Sequence, residues 1–448
     1  MSILRMAWRN VWRNRRRSLV TLFAMTLALG APTSAWALGS FETAQANAEV
    51  IGALRLLGGF VHYRKELAPL VEDDTLTTTE LRLVATGRAP AALQVELNVY
   101  TDTSGAAGLG VPGSLGSGEA AGAFGSAGTL RSPYRSTYLD WDYWRSGAVR
   151  GQLGIDRLNV TRALGPLDVT VGRLVLNHSV TQMFTPNDFF APFSAAAINT
   201  IYKPGVDGAR LRLALGPMSE LTLSGVVGSD AEDRLRWAQS AVLARLATVA
   251  RDFEWALLAG KVAQRWIVGA SLQGELLALG VRAEGHVGLP DADGQGTLDD
   301  VDGDGRSRDD AYTRLAVEID KTFAWRKASL GAEYAYFSDG ARAPARYVAR
   351  ALRLFPDDQG YLGRHYAGAN IEAEVVPILR LALVAFVNLG DRSGVAVTSL
   401  SYSIADEADL VGGLLVPWGE GLDTAAMQLH SEMGVAPIAG FVETRVFF

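Results

Sequence analysis

Long stretches of this chain alternate apolar and polar residues with a period of two. Leu279, Val281, Ala283, Val287 and Leu289 alternate with Arg282, Glu284 and His286, and Trp266, Val268, Ala270 and Leu272 alternate with Arg265, Ser271, Gln273 and Glu275. Thr313, Leu315, Val317 and Ile319 do the same against Arg314, Glu318 and Asp320, and Phe253, Trp255, Leu257 and Ala259 share one face. Successive side chains of a strand point to opposite faces, so each stretch has one greasy and one wet side. The stretches run about 10–12 residues, the length a tilted strand needs to cross a bilayer, whereas soluble strands average about 5–6. In hydrocarbon every backbone polar group must pair within the protein, so such strands have to close on themselves.

Besides that length, two further features set a membrane barrel apart from a soluble sandwich. Aromatics gather near segment ends: Tyr134, Tyr138, Trp141, Tyr143 and Trp144, then Tyr334, Tyr336 and Phe337, then Trp418. Rings at the two water–lipid interfaces produce that pattern. The chain ends Glu443-Thr444-Arg445-Val446-Phe447-Phe448; a terminal aromatic on an alternating strand resembles the outer-membrane assembly signal, with Glu443 where glycine is common. Tight links near Gly216-Pro217, Arg251-Asp252, Gly274-Glu275, Ala324-Trp325 and Val376-Pro377 take turns with long connections near 178–206, 229–238, 289–310, 338–362 and 417–436. Outer-membrane barrels place short turns in the periplasm and long loops outside. The expectation is an all-β chain: a single antiparallel transmembrane β-barrel over 38–448 of about 18 strands, with 16 to 20 as the range.

The amino terminus reads as an address. Residues 1–37 hold six arginines and no acid, and Ser18–Leu29 is an apolar run too short to span a bilayer. Ala35-Trp36-Ala37 follows, which completes a secretory signal peptide over 1–37. The whole chain carries a formal charge of −6, so the remainder is more acidic still, and that acidity argues against a nucleic-acid partner. Ala7-Trp8-Arg9-Asn10-Val11-Trp12-Arg13-Asn14-Arg15-Arg16-Arg17 resembles the start of ABC-transporter permeases of the lipoprotein-release and macrolide-export type. It covers about 20 residues, and 38–448 holds no apolar run of the length those permeases need.

Enzyme chemistry finds little support. The chain has no cysteine and five histidines, none in H-E-x-x-H, and no G-x-S-x-G elbow. The most unusual stretch is the connection 178–206. Gly172-Arg173 is followed by Thr185-Pro186-Asn187-Asp188-Phe189-Phe190-Ala191-Pro192-Phe193, then by Lys203-Pro204-Gly205-Val206-Asp207 and Arg210. This order resembles uncharacterised porin-like outer-membrane proteins of Gram-negative bacteria. The resemblance implies a channel whose long loop folds into the lumen, with 178–206 as the constriction. Pro186 and Pro192 stiffen it, and Asp188 and Lys203 are candidates to face the pore; an aromatic cap over the barrel mouth is the alternative. Arg173, Asp207, Arg210, Arg212, Arg282 and Glu284 are the further candidates for the pore and its constriction, since rings of fixed charge tune ion preference. Asp300-Val301-Asp302-Gly303-Asp304-Gly305 matches the first half of an EF-hand loop, with Asp309 and Asp310 nearby and Ala311 at the usual bidentate position. Weak calcium binding and a merely solvated acidic external loop (289–310) are both compatible with it; no other cofactor is expected.

The reading is an outer-membrane, porin-like channel for passive diffusion of small polar solutes. The alternatives are a non-channel structural or surface-interaction barrel and the exit pore of an export system. Expected partners are outer-membrane lipid and lipopolysaccharide, the barrel-assembly machinery, small polar solutes and other copies of the chain in a homo-oligomer.

Overall fold

The structure is a computed structural model that describes residues 39–43, 46–63, 74–90, 92–105, 132–146, 149–193, 195, 201–230, 232–290, 311–351, 360–423 and 428–448. The signal peptide, the permease-like start and the acidic aspartates from Asp300 to Asp310 lie outside those residues.

The strands in chain order are β1 (Gly39–Glu42), β2 (Asn47–His62), β3 (Asp74–Ala89), β4 (Leu93–Gly105), β5 (Asp140–Ser146), β6 (Val149–Leu164), β7 (Leu167–Leu174), β8 (Val206–Gly216), β9 (Ser219–Val226), β10 (Ala241–Ala250) and β11 (Phe253–Val262). They continue with β12 (Arg265–Leu276), β13 (Leu279–Pro290), β14 (Tyr312–Thr322), β15 (Ser329–Phe337), β16 (His365–Val376), β17 (Leu379–Asn388), β18 (Gly394–Ala405), β19 (Ala408–Trp418), β20 (Leu422–Asp423), β21 (Gln428–Leu429) and β22 (Ile438–Phe447). Eighteen of them form one closed antiparallel wall. β1 and β5 extend it: β1 pairs with Asn47–Val50 of β2, beyond the reach of β22, and β5 pairs with the part of β6 that β7 does not cover. β20 and β21 form a separate hairpin in a long loop. The eighteen-strand barrel expected from the alternation is therefore the fold.

The ring closes where β2 meets β22, in register from Ala53↔Phe447 to His62↔Ile438. Gly52 and Phe448 exchange two backbone hydrogen bonds at the end of that ladder, and Gly52 lacks a Cβ where the Phe448 ring lies against it. Glu443, at the position where glycine was expected, is fully buried on the inner side of the seam. It accepts from Arg55 Nε (2.6 Å) and Arg445 Nε (2.6 Å), so it joins the last strand to the first.

The wall is inverted relative to a soluble protein. Arg173, Arg265 and Lys261 are among the most buried large side chains, while Leu81, Leu211, Leu257, Val268, Leu315, Ile319, Leu383 and Leu414 are exposed on the outside. A continuous exposed apolar surface of this kind is stable only against lipid. Among the described residues no helix is long and apolar enough to cross a membrane; the crossing is made by strands. Connections alternate as read from the sequence, with one shift: the turn after β12 is Leu277-Ala278, not Gly274-Glu275. Gly274 stays in the ladder, paired with Phe253 and Val281, because the strand needs those residues to reach the far rim.

The seam gives a prediction. Glu443→Ala leaves the buried Arg55 and the partly buried Arg445 without their shared acceptor, a loss of up to about 3–5 kcal/mol for breaking a buried pair. The folded-to-unfolded mobility shift on semi-native gels is expected at a markedly lower temperature than in the parent. An unchanged transition would show that the seam does not depend on this carboxylate.

Candidate functional site

An eighteen-strand ring is too wide for its own side chains to fill, so whatever sets the aperture must come from elsewhere in the chain. The connection from β7 to β8 supplies it. It turns inward and crosses to the opposite wall, where a row of carboxylates receives it. Glu284 on β13, Glu318 on β14 and Glu333 on β15 all point to the lumen, since their strand neighbours Val287, Val317 and Tyr334 face outward.

Each of these carboxylates accepts backbone amides of the loop. Val180 N donates to Glu284 Oε2 (2.5 Å) and Asn187 N to Glu284 Oε1 (3.2 Å), with the Ser179 hydroxyl on the same carboxylate. Gln182 N donates to Glu318 Oε2 (3.0 Å). Met183 N and Phe184 N donate to the two oxygens of Glu333 (2.9 and 2.7 Å). A loop without a ladder of its own has amides that need acceptors, and a buried carboxylate needs donors; each solves the other's problem. The arrangement also explains a conflict in the wall. Glu318 and Glu333 are directly cross-strand, where like charges repel. Bonds from the loop, and from Arg282 Nη1 to Glu318 Oε1 (2.6 Å), offset that repulsion.

The apolar residues of the loop pin the same path. Phe184 packs on Tyr361 (5.4 Å), Tyr366 (5.8 Å) and Phe386 (6.2 Å). Gly368 of β16 admits the loop, for a Cβ there would stand 2.8 Å from Met183 Cε. The chain then returns. The side-chain amide of Asn187 donates to Ala270 O (3.2 Å), and its carbonyl oxygen meets His286 Nδ1 (3.2 Å). Phe190 stacks edge-on against Tyr134 (5.3 Å). On the far wall Tyr202 lies under the Arg82 guanidinium (4.5 Å). The described parts of 178–206 thus run from one wall to the other within the barrel.

The residues singled out from sequence differ in what they hold. Glu284 holds the loop, and Arg282 braces the neighbouring strand through Glu318 and Asp320 (2.6 Å each). Asp188 and Lys203 pair with each other inside the loop, both largely buried. Arg173 and Asp207 pair with each other (2.7 Å), and Arg173 also donates to the carbonyls of Ile155 and Ser136 (2.8 and 2.7 Å), so this arginine ties strands and the Tyr134–Asp140 segment together. Arg212 pairs with Asp168 (2.7 Å). Arg210 alone of this set has no carboxylate at ion-pair distance among the described residues. Nearby, His178 is buried and pushed down to about 4, by desolvation first and then by Arg245, Lys203 and Arg210; it stays neutral at physiological pH.

Sequence reasoning missed Glu333, which receives two loop amides, and the buried chain Glu443–Arg55–Glu80–Arg82–Asp156–Arg135 along the opposite wall. The signal for Glu333 was its polar place between Ala332 and Tyr334 on an alternating strand; its function emerges only once Glu318 is known to lie beside it. The aspartates considered for calcium lie outside the described residues.

No protein-family model matches the chain, and no curated protein does. Solved structures do. OccAB3 of Acinetobacter baumannii superposes with a TM-score of 0.53 at 12% identity, over 90% of this chain and 99% of that one. The chain has the fold of the Occ/OprD outer-membrane porins. OccAB1 of the same organism gives 0.52 at 12% identity (92% and 99% covered), and OccK2 (OpdF) of Pseudomonas aeruginosa, solved with glucuronate, gives 0.53 at 9% (90% and 98% covered).

The carboxylate row makes the loop testable. Glu333→Ala removes two backbone-to-carboxyl bonds, each contributing about 0.5–1.5 kcal/mol net. Single-channel recordings of the variant are expected to show larger and noisier conductance steps than the parent. Identical steps, with the barrel still heat-modifiable, would show that the loop is held by other contacts.

Proposed function

We propose that the mature chain is an outer-membrane channel through which small polar solutes diffuse passively, with the loop 178–206 setting the aperture. The observation that carries this reading is the loop seated inside a lipid-facing barrel on a row of wall carboxylates. Outer-membrane lipid with lipopolysaccharide in its outer leaflet is the surrounding solvent, and the barrel-assembly machinery is the partner that inserts the wall.

Charge preference in this reading comes from an imbalance on β8, just past the loop's end. Most lumen arginines are neutralised by a neighbour, as Arg55, Arg82, Arg157, Arg245 and Arg282 are. Arg210 is not, so its field reaches passing solutes. A protein of the same fold, OccK2, has been solved with glucuronate, which fits passage of a small anionic sugar through such a ring.

Reconstitution into planar bilayers tests the proposal. Discrete conductance steps that are steady over minutes are expected, with a modest anion preference in a salt gradient. Arg210→Ala is expected to move the reversal potential toward cations, and Arg212→Ala much less, because Asp168 already neutralises that group. A barrel that inserts and passes no current would refute the channel.

A further inference from the structure

The short-turn rim carries a feature that solute passage does not use. Met218 in the β8–β9 turn, Leu277 in the β12–β13 turn and Trp325 in the β14–β15 turn are 65%, 87% and 70% exposed, and Phe323 and Ile378 are exposed beside them. The turns on the other arc are different: Gly165-Pro166 links β6 to β7, and Asp406-Glu407 links β18 to β19. The arc from β8 to β17 carries large apolar side chains in the turns themselves, interrupted by Arg251-Asp252 between β10 and β11, whereas on the other arc Leu164 is exposed only beside its turn.

The backbone under Leu277 sharpens the point. The two-residue turn Leu277-Ala278 has both residues left-handed (φ 54° and 62°). Such turns normally use Asn-Gly, and an L-residue with a full side chain costs about 1–2 kcal/mol in this conformation. Strain retained at an exposed position invites a use for the side chain.

Depth indicates the use. On the lipid face of β12, Trp266 and Leu276 are both exposed and stand ten positions apart. Ten residues of a strand tilted by about 40° rise about 25 Å, which is the height of the apolar band of such barrels. With Trp266 at one interface, Leu276 reaches the other, and Leu277 lies just beyond it, among lipid headgroups rather than in bulk water. Cations accompany the tips. Lys321 sits over the Phe323 ring (5.6 Å) and Arg326 over the Trp325 ring (5.4 Å), while Arg251, beside Asp252, occupies the turn between β10 and β11.

We propose that this arc of turns, from β8 to β17, is seated in the headgroup layer of the inner phospholipid leaflet. The apolar tips meet the headgroup–acyl boundary, and Lys321, Arg326 and Arg251 meet lipid phosphates. The barrel therefore stands tilted toward this arc and away from Asp406-Glu407. The inference rests on the membrane-barrel reading above.

The absence of cysteine makes the test direct. Single nitroxide labels are placed at Met218→Cys, Leu277→Cys and Glu407→Cys, with Val268→Cys on the lipid face as reference, and each protein is reconstituted into vesicles of phosphatidylethanolamine and phosphatidylglycerol. Labels at 218 and 277 are expected to collide readily with oxygen and several-fold less with a water-soluble nickel chelate, while the label at 407 shows the reverse. Replacing phosphatidylglycerol with phosphatidylcholine is expected to shrink the difference. A label at 277 as open to the chelate as the one at 407 would overturn the seating. Spin–spin broadening at 277 would also overturn it, by showing that a second copy covers the arc. A reference label at 268 open to the chelate would sink the membrane barrel itself along with this inference.

Discussion

Backbone polarity in hydrocarbon governs this molecule. An unpaired amide or carbonyl in the bilayer core costs several kcal/mol, so a sheet that enters lipid cannot keep an edge. The pairing of β2 with β22 removes the last edge, and much else follows from it. The terminal Phe448 is tied to Gly52 through the backbone, the buried Glu443 clamps arginines from both sides of the seam, and β1 continues the ladder where β22 stops.

Closure at eighteen strands creates a second problem, an interior too wide to fill with wall side chains. The β7–β8 connection answers it, and its chemistry is reciprocal. Wall carboxylates that would be costly to bury bare receive amides, and amides that would be costly to bury bare receive carboxylates. On the opposite wall the same demand is met by a different device, an alternating chain of arginines and acids in which Arg82 bridges Glu80 (2.8 Å) and Asp156 (2.5 Å). Most of the described lumen arginines are compensated in this way, and against that background Arg210, with no carboxylate at ion-pair distance among the described residues, stands out.

Local strain is distributed unevenly around the ring. Among the described residues, left-handed non-glycine residues occur as pairs at Arg251-Asp252, Leu277-Ala278 and Arg326-Lys327, in short turns on one arc of the rim, and singly at Ala92, Asp233, Ala263 and Arg392. A hairpin register this long holds such turns in place, because a slip by one residue would send every lipid-facing side chain into the lumen. The wall thus over-determines its turns and permits side chains there that a free hairpin would reject.

The sequence alone was enough for the barrel and for the rough number of strands, and it marked 178–206 as the unusual connection while leaving a constriction and a cap over the mouth both open. Alternation is a local property, readable from neighbours in the chain, and so are proline-phenylalanine stretches such as Pro186–Phe190. It also marked Glu284 and Arg282 as wall residues. It did not separate Gly274-Glu275 from Leu277-Ala278 as the turn, because both fit the period and only the pairing with β11 decides between them. Nor did it show that Glu333 receives the loop, that Asp188 and Lys203 satisfy each other, or that Arg173 binds Asp207 rather than facing the pore. Those outcomes depend on residues far apart in the chain, up to 150 positions for Met183 and Glu333, and such distances are closed only by the ring.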